Sequence, residues 1–206
     1  KDFSTKTIKP LFGVSLAYNP EFWAAIKGGI NFTSVSGADS LIQNNGGLEK
    51  WRYNRNLSFK SSIIEAYIAA DIYPLLIVNK ESSLTQLAPF VSVGIGVFHF
   101  NPRTQLNGEW IDLQPLHLEG QGFKEYPSRK VYTLTQPYIP VAVGLKYYVN
   151  NQIGLSAGMN FRHTFTDYID DISTTYIDPN LFDSYLPAEQ ALLAKQLYSR
   201  SLTPTK

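Results

Sequence analysis

The stretch from 141 to 165 reads VAVGLKYYVNNQIGLSAGMNFRHTF. Two alternating runs flank a short polar break, Asn150-Asn151-Gln152. Val141, Val143, Leu145 and Tyr147 share one parity, continued by Ile153, Leu155, Ala157, Met159 and Phe161. Ala142, Gly144 and Lys146, then Gly154, Ser156, Gly158, Asn160 and Arg162, take the other. A period of two places successive side chains on opposite faces of a strand, so this stretch predicts two strands joined by a short turn. Soluble sheets alternate too. The fold therefore depends on which face looks inward.

The same alternation recurs along the chain. In 11–18, Phe12, Val14, Leu16 and Tyr18 oppose Gly13, Ser15 and Ala17. In 22–33, Phe22, Ala24, Ile26, Ile30 and Phe32 oppose Lys27, Asn31 and Thr33. In 57–73, Ile64, Ala66, Ile68, Ala70 and Ile72 oppose Glu65, Tyr67, Ala69 and Asp71. In 88–100, Val91, Val93, Ile95 and Val97 oppose Ser92, Gly94 and Gly96. Six strands result, most about ten residues or longer against a usual ~5–6. Their connections alternate between short (19–21, 150–152) or intermediate (74–87) and long (34–56, 101–136). After Thr166 the alternation stops, and residues 187–199 have helical composition with Pro187 at a helix start. The chain reads as a single domain over 1–206, with long loops at 34–56, 101–136 and 167–206.

Composition limits the function classes. A formal charge of +1 leaves no electrostatic footprint for nucleic acid. The chain has no cysteine, which excludes disulfides and thiolate metal sites. No apolar run approaches the ~20 residues of a membrane helix. A mean hydropathy of −0.15 looks soluble, yet a membrane barrel shows lipid only every second residue of a strand. The chain opens on Lys1 rather than Met, as expected of a processed chain, a trimmed one or a fragment.

The less apolar face decides the reading. It is mainly Gly, Ala and Ser, with a few charges, among them Lys27, Glu65, Lys146 and Arg162. A water-facing sheet carries more Lys, Glu and Asp than this. Small residues with sparse opposite charges fit the crowded inside of a small barrel, where each buried charge needs a partner. Lys27, Glu65, Lys146 and Arg162 are therefore expected to form one lumen network, with the Val/Ile/Leu face turned outward to lipid. Tyr18, Phe22, Trp23, Phe98, Phe100, Tyr147, Tyr148, Phe161 and Phe165 lie near strand ends and read as interfacial girdles. The expected fold class is all-β, a small antiparallel up-and-down transmembrane β-barrel, with a short C-terminal helix. In the competing reading the apolar face is the interior of a soluble, lipocalin-type ligand-binding barrel and the Gly/Ser/Lys face is wet.

Three further stretches carry a resemblance: GIGVFHFNP (94–102), LQPLHLEGQG (113–122) and RHTFTDYIDDIS (162–173). In order and spacing they resemble the PorG-like family of outer-membrane barrels associated with the type IX secretion system. The resemblance spans roughly residues 10 to 180 and is specific in its second half. Its motif residues here are Phe100, Asn101, Pro102, Glu119, Gly120, Gln121, Gly122, Asp167, Tyr168, Asp170 and Asp171. The resemblance implies a barrel of about eight strands, so one strand is expected before KDFSTKTIKP and one after the acidic loop. It also implies a non-enzymatic role in the outer membrane. That role is to anchor or organise a periplasmic ring made of a lipoprotein and its partner protein, with membrane lipid as the other contact. The connections 19–21, 74–87 and 150–152 are then the periplasmic ones, and Lys80, Glu81, Asn150 and Asn151 are candidate partner contacts. A generic small outer-membrane barrel for stability, adhesion or small-solute passage is the alternative within the same fold.

The remaining candidates have plainer readings. Asp167, Asp170, Asp171 and Asp178 lack the EF-hand spacing of a calcium loop and read as a solvated loop making Asx turns. His99, His117 and His163 have no metal-ligand spacing partner; His99 and His163 share the outward parity and read as interfacial polar caps. Glu119 sits beside Gly120 and Gly122, which mark a turn of unusual φ rather than a catalytic acid. Trp51, Arg52 and Arg55 read equally as a partner or headgroup contact and as a solvated loop tip. No nucleophile–base–acid set and no phosphate loop is recognisable, so no enzyme, cofactor, metal or small-molecule substrate is expected.

Overall fold

A computed structural model describes residues 8–39, 54, 56–78, 87–149, 153–175, 177–198 and 200. Lys80, Glu81, Asn150, Asn151, Trp51, Arg52 and Arg55 lie outside the described residues. The long strands are β1 (Phe12–Glu21), β2 (Ala24–Ala38), β3 (Ser58–Ile72), β4 (Leu87–Leu106), β6 (Thr135–Tyr148) and β7 (Gly154–Thr164), with a short β5 (Glu109–Asp112). They form one antiparallel up-and-down sheet in the order β1-β2-β3-β4-β6-β7, and β5 pairs with β4. The sheet is not closed into a barrel: among the described residues β1 pairs only with β2 and β7 only with β6. The chain is thus all-β with a few short helices. The helices are α1 (Pro74–Val78), α2 (Phe182–Tyr185) and α3 (Ala188–Tyr198), the last beginning directly after Pro187.

Three boundaries differ from the sequence reading. β2 runs on to Ala38, into the loop expected over 34–56, because residues 34–38 stay paired with β3. The first turn is not at 19–21 but at Phe22-Trp23; an irregularity between Tyr18 and Glu21 absorbs Asn19-Pro20, and pairing resumes at Glu21 with Ala24. Proline lacks an N–H, so it suits such a break in the ladder. The loop expected over 101–136 is not one loop. β4 continues to Leu106 and turns back through Asn107-Gly108, both with positive φ (52° and 89°), into β5. Asn-Gly suits the left-handed conformation that a two-residue hairpin turn demands.

The sheet is inverted relative to a soluble sandwich. Phe12, Val14, Leu16, Ile26, Ile30, Ile64, Ile68, Val93, Ile95, Leu145, Met159 and Phe161 are exposed, Leu16 at 86% and Ile95 at 73%. The opposite parity is buried: Ala25, Ser61, Glu65, Ala69, Asp71, Ala88, Ser92, Phe98, Tyr138 and Ala142. Between β1 and β7, which are exposed on both parities, the inner face is packed at both ends. At the short-turn end Ala25, Tyr73, Leu76 and Ala88 pack with Trp23, Phe90 and Tyr148. At the other end Phe98, Phe100, Tyr132 and Tyr138 pack together. Beyond them a cap built from 107–134 and 165–198 has its own apolar core, with Leu113, Leu116, Phe123, Ile177, Phe182, Ala191, Ala194 and Leu197 buried. The 167–206 stretch was expected to be loop; its described part is instead largely this packed cap.

Phe98 and Phe100 correct the girdle expectation. They share the inward parity of β4 with Ser92, so they lie under the cap and not at an outer rim. Trp23 and Tyr148 likewise pack against the turn-end cluster. Tyr18, Phe22, Tyr147, Phe161 and Phe165 are exposed.

Candidate functional site

The inward charges are brought together, but not as one network. Arg162 on β7 grips Glu65 on β3: Nε donates to Oε1 and Oε2 at 3.1 and 2.8 Å, and Nη2 donates to Oε1 at 2.7 Å. Asn31 on β2 donates from Nδ2 to the same carboxylate at 2.6 Å. Glu65 is 2% exposed. Lys27 does not reach Glu65; its ammonium donates to both oxygens of Asp71 at 3.0 and 3.1 Å. Register explains the choice. Lys27 lies opposite Ala69, so Asp71 is its diagonal neighbour, whereas Glu65 is opposite Asn31. Lys146 is also separate, with its ammonium 4.7 Å from the Tyr148 ring centroid and 5.8 Å from that of Tyr73. The aromatic faces offer it cation–π stabilisation in place of a carboxylate.

The Glu65–Arg162 contact also measures the curl of the sheet. β3 and β7 are separated by β4 and β6. Three inter-strand steps of ~4.8 Å would hold them ~14 Å apart in a flat sheet. A bidentate contact across that gap requires the inner faces to curve toward each other. Glycine on the inward parity permits it: a Cβ on Gly94 would fall 2.2 Å from the Ile68 carbonyl oxygen.

The three motif stretches converge at the cap. Phe100, Tyr132 and Tyr168 form a column, with Tyr132 stacked 6.0 Å from Phe100 and 4.6 Å from Tyr168. The Tyr132 hydroxyl donates to Asp171 Oδ1. Asp171 is 0% exposed and has a positive φ of 68°. Burial pushes its carboxyl up to about 7, against the lowering effect of the Tyr132 hydrogen bond, and the nearby charges of Glu119 and Asp170 add to the rise. Asp171 is therefore not the solvated loop residue expected. Asp170 and Asp178 do make short local turns, accepting from the backbone N–H of Ile172 at 3.3 Å and Asn180 at 2.9 Å. Asp167 precedes the 3-10 turn Tyr168–Asp170 and makes no side-chain cap bond.

Glu119 joins the second motif to the third. Its buried carboxylate accepts from the backbone N–H of Ser173 and Thr174 at 2.8 to 3.2 Å and from the Thr174 hydroxyl at 2.9 Å. Gln121 Oε1 accepts from the Glu119 N–H at 3.2 Å. Gly120 and Gly122 have φ of 71° and 83°, the turn that lets the loop reverse beside this carboxylate. Pro102 is buried and its carbonyl accepts from Leu113 N–H at 2.9 Å, while Asn101 donates from Nδ2 to Asp112 at 3.2 Å.

Two residues of the cap escaped the sequence reading. Arg129 donates to the Glu119 and Thr175 carbonyl oxygens at 2.7 and 2.9 Å and lies over the Tyr126 ring. Tyr132 holds Asp171. Both sit in a polar stretch with no period, which leaves nothing local to mark them. Asp71 was legible as inward but not as the partner of Lys27.

The histidines stay apart. His99 is exposed and 3.0 Å from the Thr135 hydroxyl; His163 packs edge-on to Phe165. His117 closes a 3-10 turn at φ 47°, and burial lowers its pKa. Among the described residues no group of His, Asp and Glu is placed to hold a metal ion, and no helix is long and apolar enough to cross a membrane. A scan against protein-family models, a search of curated proteins and a search of solved structures found no match.

Proposed function

We propose that this chain is the strand-built, membrane-inserted part of an outer-membrane protein. The observation that carries the reading is the exposed apolar band over a polar, ion-paired inner face. On β4 the outward parity is apolar from Leu87 to Val97. Ten residue steps at ~3.3 Å make ~33 Å along the strand, or ~25 Å along the normal for a ~40° tilt, the height of a barrel's lipid-facing band. A monomer in water rarely keeps so large an apolar surface uncovered. The two open edges, β1 and β7, run antiparallel to one another. Closure takes direct pairing or an even number of added strands, and two added strands make a barrel of eight.

Within that reading, the role is non-enzymatic support of type IX secretion, anchoring or organising the periplasmic ring of a lipoprotein and its partner. What supports it is the resemblance of the three motif stretches to the PorG-like family; the first runs along β4 to the cap, and the second and third meet through Glu119 and Ser173. The test is a mild-detergent pull-down of the tagged protein from native outer membrane, with partners identified by mass spectrometry. Recovery of the ring lipoprotein and its partner is the expected result. A protein that stays in the membrane through carbonate but comes out alone, from detergent that preserves the ring, is a generic barrel. Release by carbonate or high salt ends the membrane reading.

A further inference from the structure

The outward parity of the described strands is nearly free of charge. It carries Glu21 at the short-turn end of β1, opposite Ala24, and toward the cap Lys60 on β3, Arg103 on β4 and Asp112 on β5; register sets these last three on one rung, Lys60 opposite Arg103 and Arg103 opposite Asp112. Ser36 of β2 continues the rung. Arg103 Nε contacts Asp112, and both side chains remain open to solvent at 49% and 44%. Trp110, 51% exposed, lies 5.6 Å by its ring centroid from the Lys60 ammonium. Among the described residues no carboxylate is within ion-pair distance of that ammonium. The rung thus holds two cations and one carboxylate beside an exposed indole, and only Arg103 contacts that carboxylate.

We propose that this rung is a docking site for the phosphate of a lipid headgroup. The proposal rests on the membrane reading above and goes beyond it by assigning the ligand of a specific rim. Depth is the first argument. Toward the cap, the last apolar residue on the outward parity of β3 is Ile64, and Lys60 lies four residues further on. That is ~13 Å along the strand and ~10 Å along the normal at a ~40° tilt. The headgroup layer begins at the hydrocarbon edge and is ~5–8 Å thick, and a lysine stem bends back to it while its ammonium stays wet. Chemistry is the second. Arginine's planar fork and lysine's point charge are the donors that recognise a phosphate, and tryptophan prefers the interface between acyl chain and headgroup. Asp112 orients the guanidinium through Nε and leaves the cation pair with an excess of one positive charge.

The test is flotation of the purified chain with two vesicle types, neutral phosphatidylcholine and the same lipid doped with phosphatidic acid. The wild type is expected to bind the doped vesicles more tightly. Lys60→Ala and Arg103→Ala each weaken that preference about fivefold, the effect of one cation at a charged surface. Asp112→Asn strengthens it, a gain that loss of folding cannot imitate. Equal binding to both vesicles, or a full preference in the Lys60→Ala/Arg103→Ala double variant, overturns the site. Equal binding to both vesicles together with saturable binding of inorganic phosphate in their absence assigns the rung to free phosphate and overturns the lipid. Failure to float even with neutral vesicles sinks the membrane reading itself.

Discussion

Arg162 and Glu65 are 97 residues apart in the chain and three strands apart in the sheet, yet two guanidinium nitrogens of one bind the carboxylate of the other. The pair is a strut across the concave face. It joins the last described strand to the centre of the sheet, where no backbone hydrogen bond does so. Its worth follows from burial: with Glu65 at 2% exposure, removing Arg162 strands a carboxylate that water barely reaches, whereas removing Glu65 leaves a guanidinium that is 32% exposed.

Arg162→Ala is therefore expected to destabilise the folded sheet by about 3 kcal/mol or more. Glu65→Ala, which leaves a guanidinium open to water, should cost less, and the double variant less than the sum of the two. A double-mutant cycle on thermal unfolding in detergent measures the coupling. Strict additivity would mean that the two side chains do not hold the curl together.

Asp171 makes the cap pH-dependent. Its folded carboxyl titrates near 7, above the ordinary value of ~3.9. The folded state therefore holds this proton more tightly than the unfolded state does. The contribution is fully present below pH ~4, declines as pH rises through the window up to about 7, and is lost above it. Asp171→Asn, which keeps an acceptor for the Tyr132 hydroxyl, should flatten this decline. Cap unfolding followed by near-ultraviolet circular dichroism between pH 4 and 8 checks both; an unchanged slope in the variant would place the titration elsewhere.

Glu119 holds Ser173 and Thr174 by charge-assisted hydrogen bonds. Glu119→Gln should loosen the junction between the 107–134 and 165–198 segments by about 1–3 kcal/mol. Hydrogen exchange at the Ser173 and Thr174 amides should speed up, while amides of β3 and β4 stay protected.

Gly96 tests the curvature by a different route. A Cβ there would lie 2.4 Å from the Tyr138 ring and 2.8 Å from the Ala66 carbonyl oxygen. Gly96→Val should cost at least ~1–3 kcal/mol through overpacking. Val97→Ala, on the outward parity, should leave the curl intact; comparable losses in both variants would show that side-chain volume on the inner face is not limiting.

Much of the architecture was legible because a period of two is a local property. Alternation placed Leu16, Ile68, Ile95 and Met159 on one face and Lys27, Glu65 and Arg162 on the other, and Pro187 marked the start of α3. The Asn107-Gly108 hairpin was missed inside the loop expected over 101–136, although its dipeptide is one that turn chemistry singles out. What parity does not contain is stagger and curl. These decided that Lys27 meets Asp71 rather than Glu65, that Lys146 rests on aromatic rings, and that Phe98 and Phe100 point under a cap. The burial of Asp171 and its hold by Tyr132 belong to the same class, since 39 residues separate them. A residue's face is set by its own backbone and its neighbours, so the sequence determines it directly. Its partner is set by how far the whole sheet bends and how its strands are offset, and only the tertiary structure decides that.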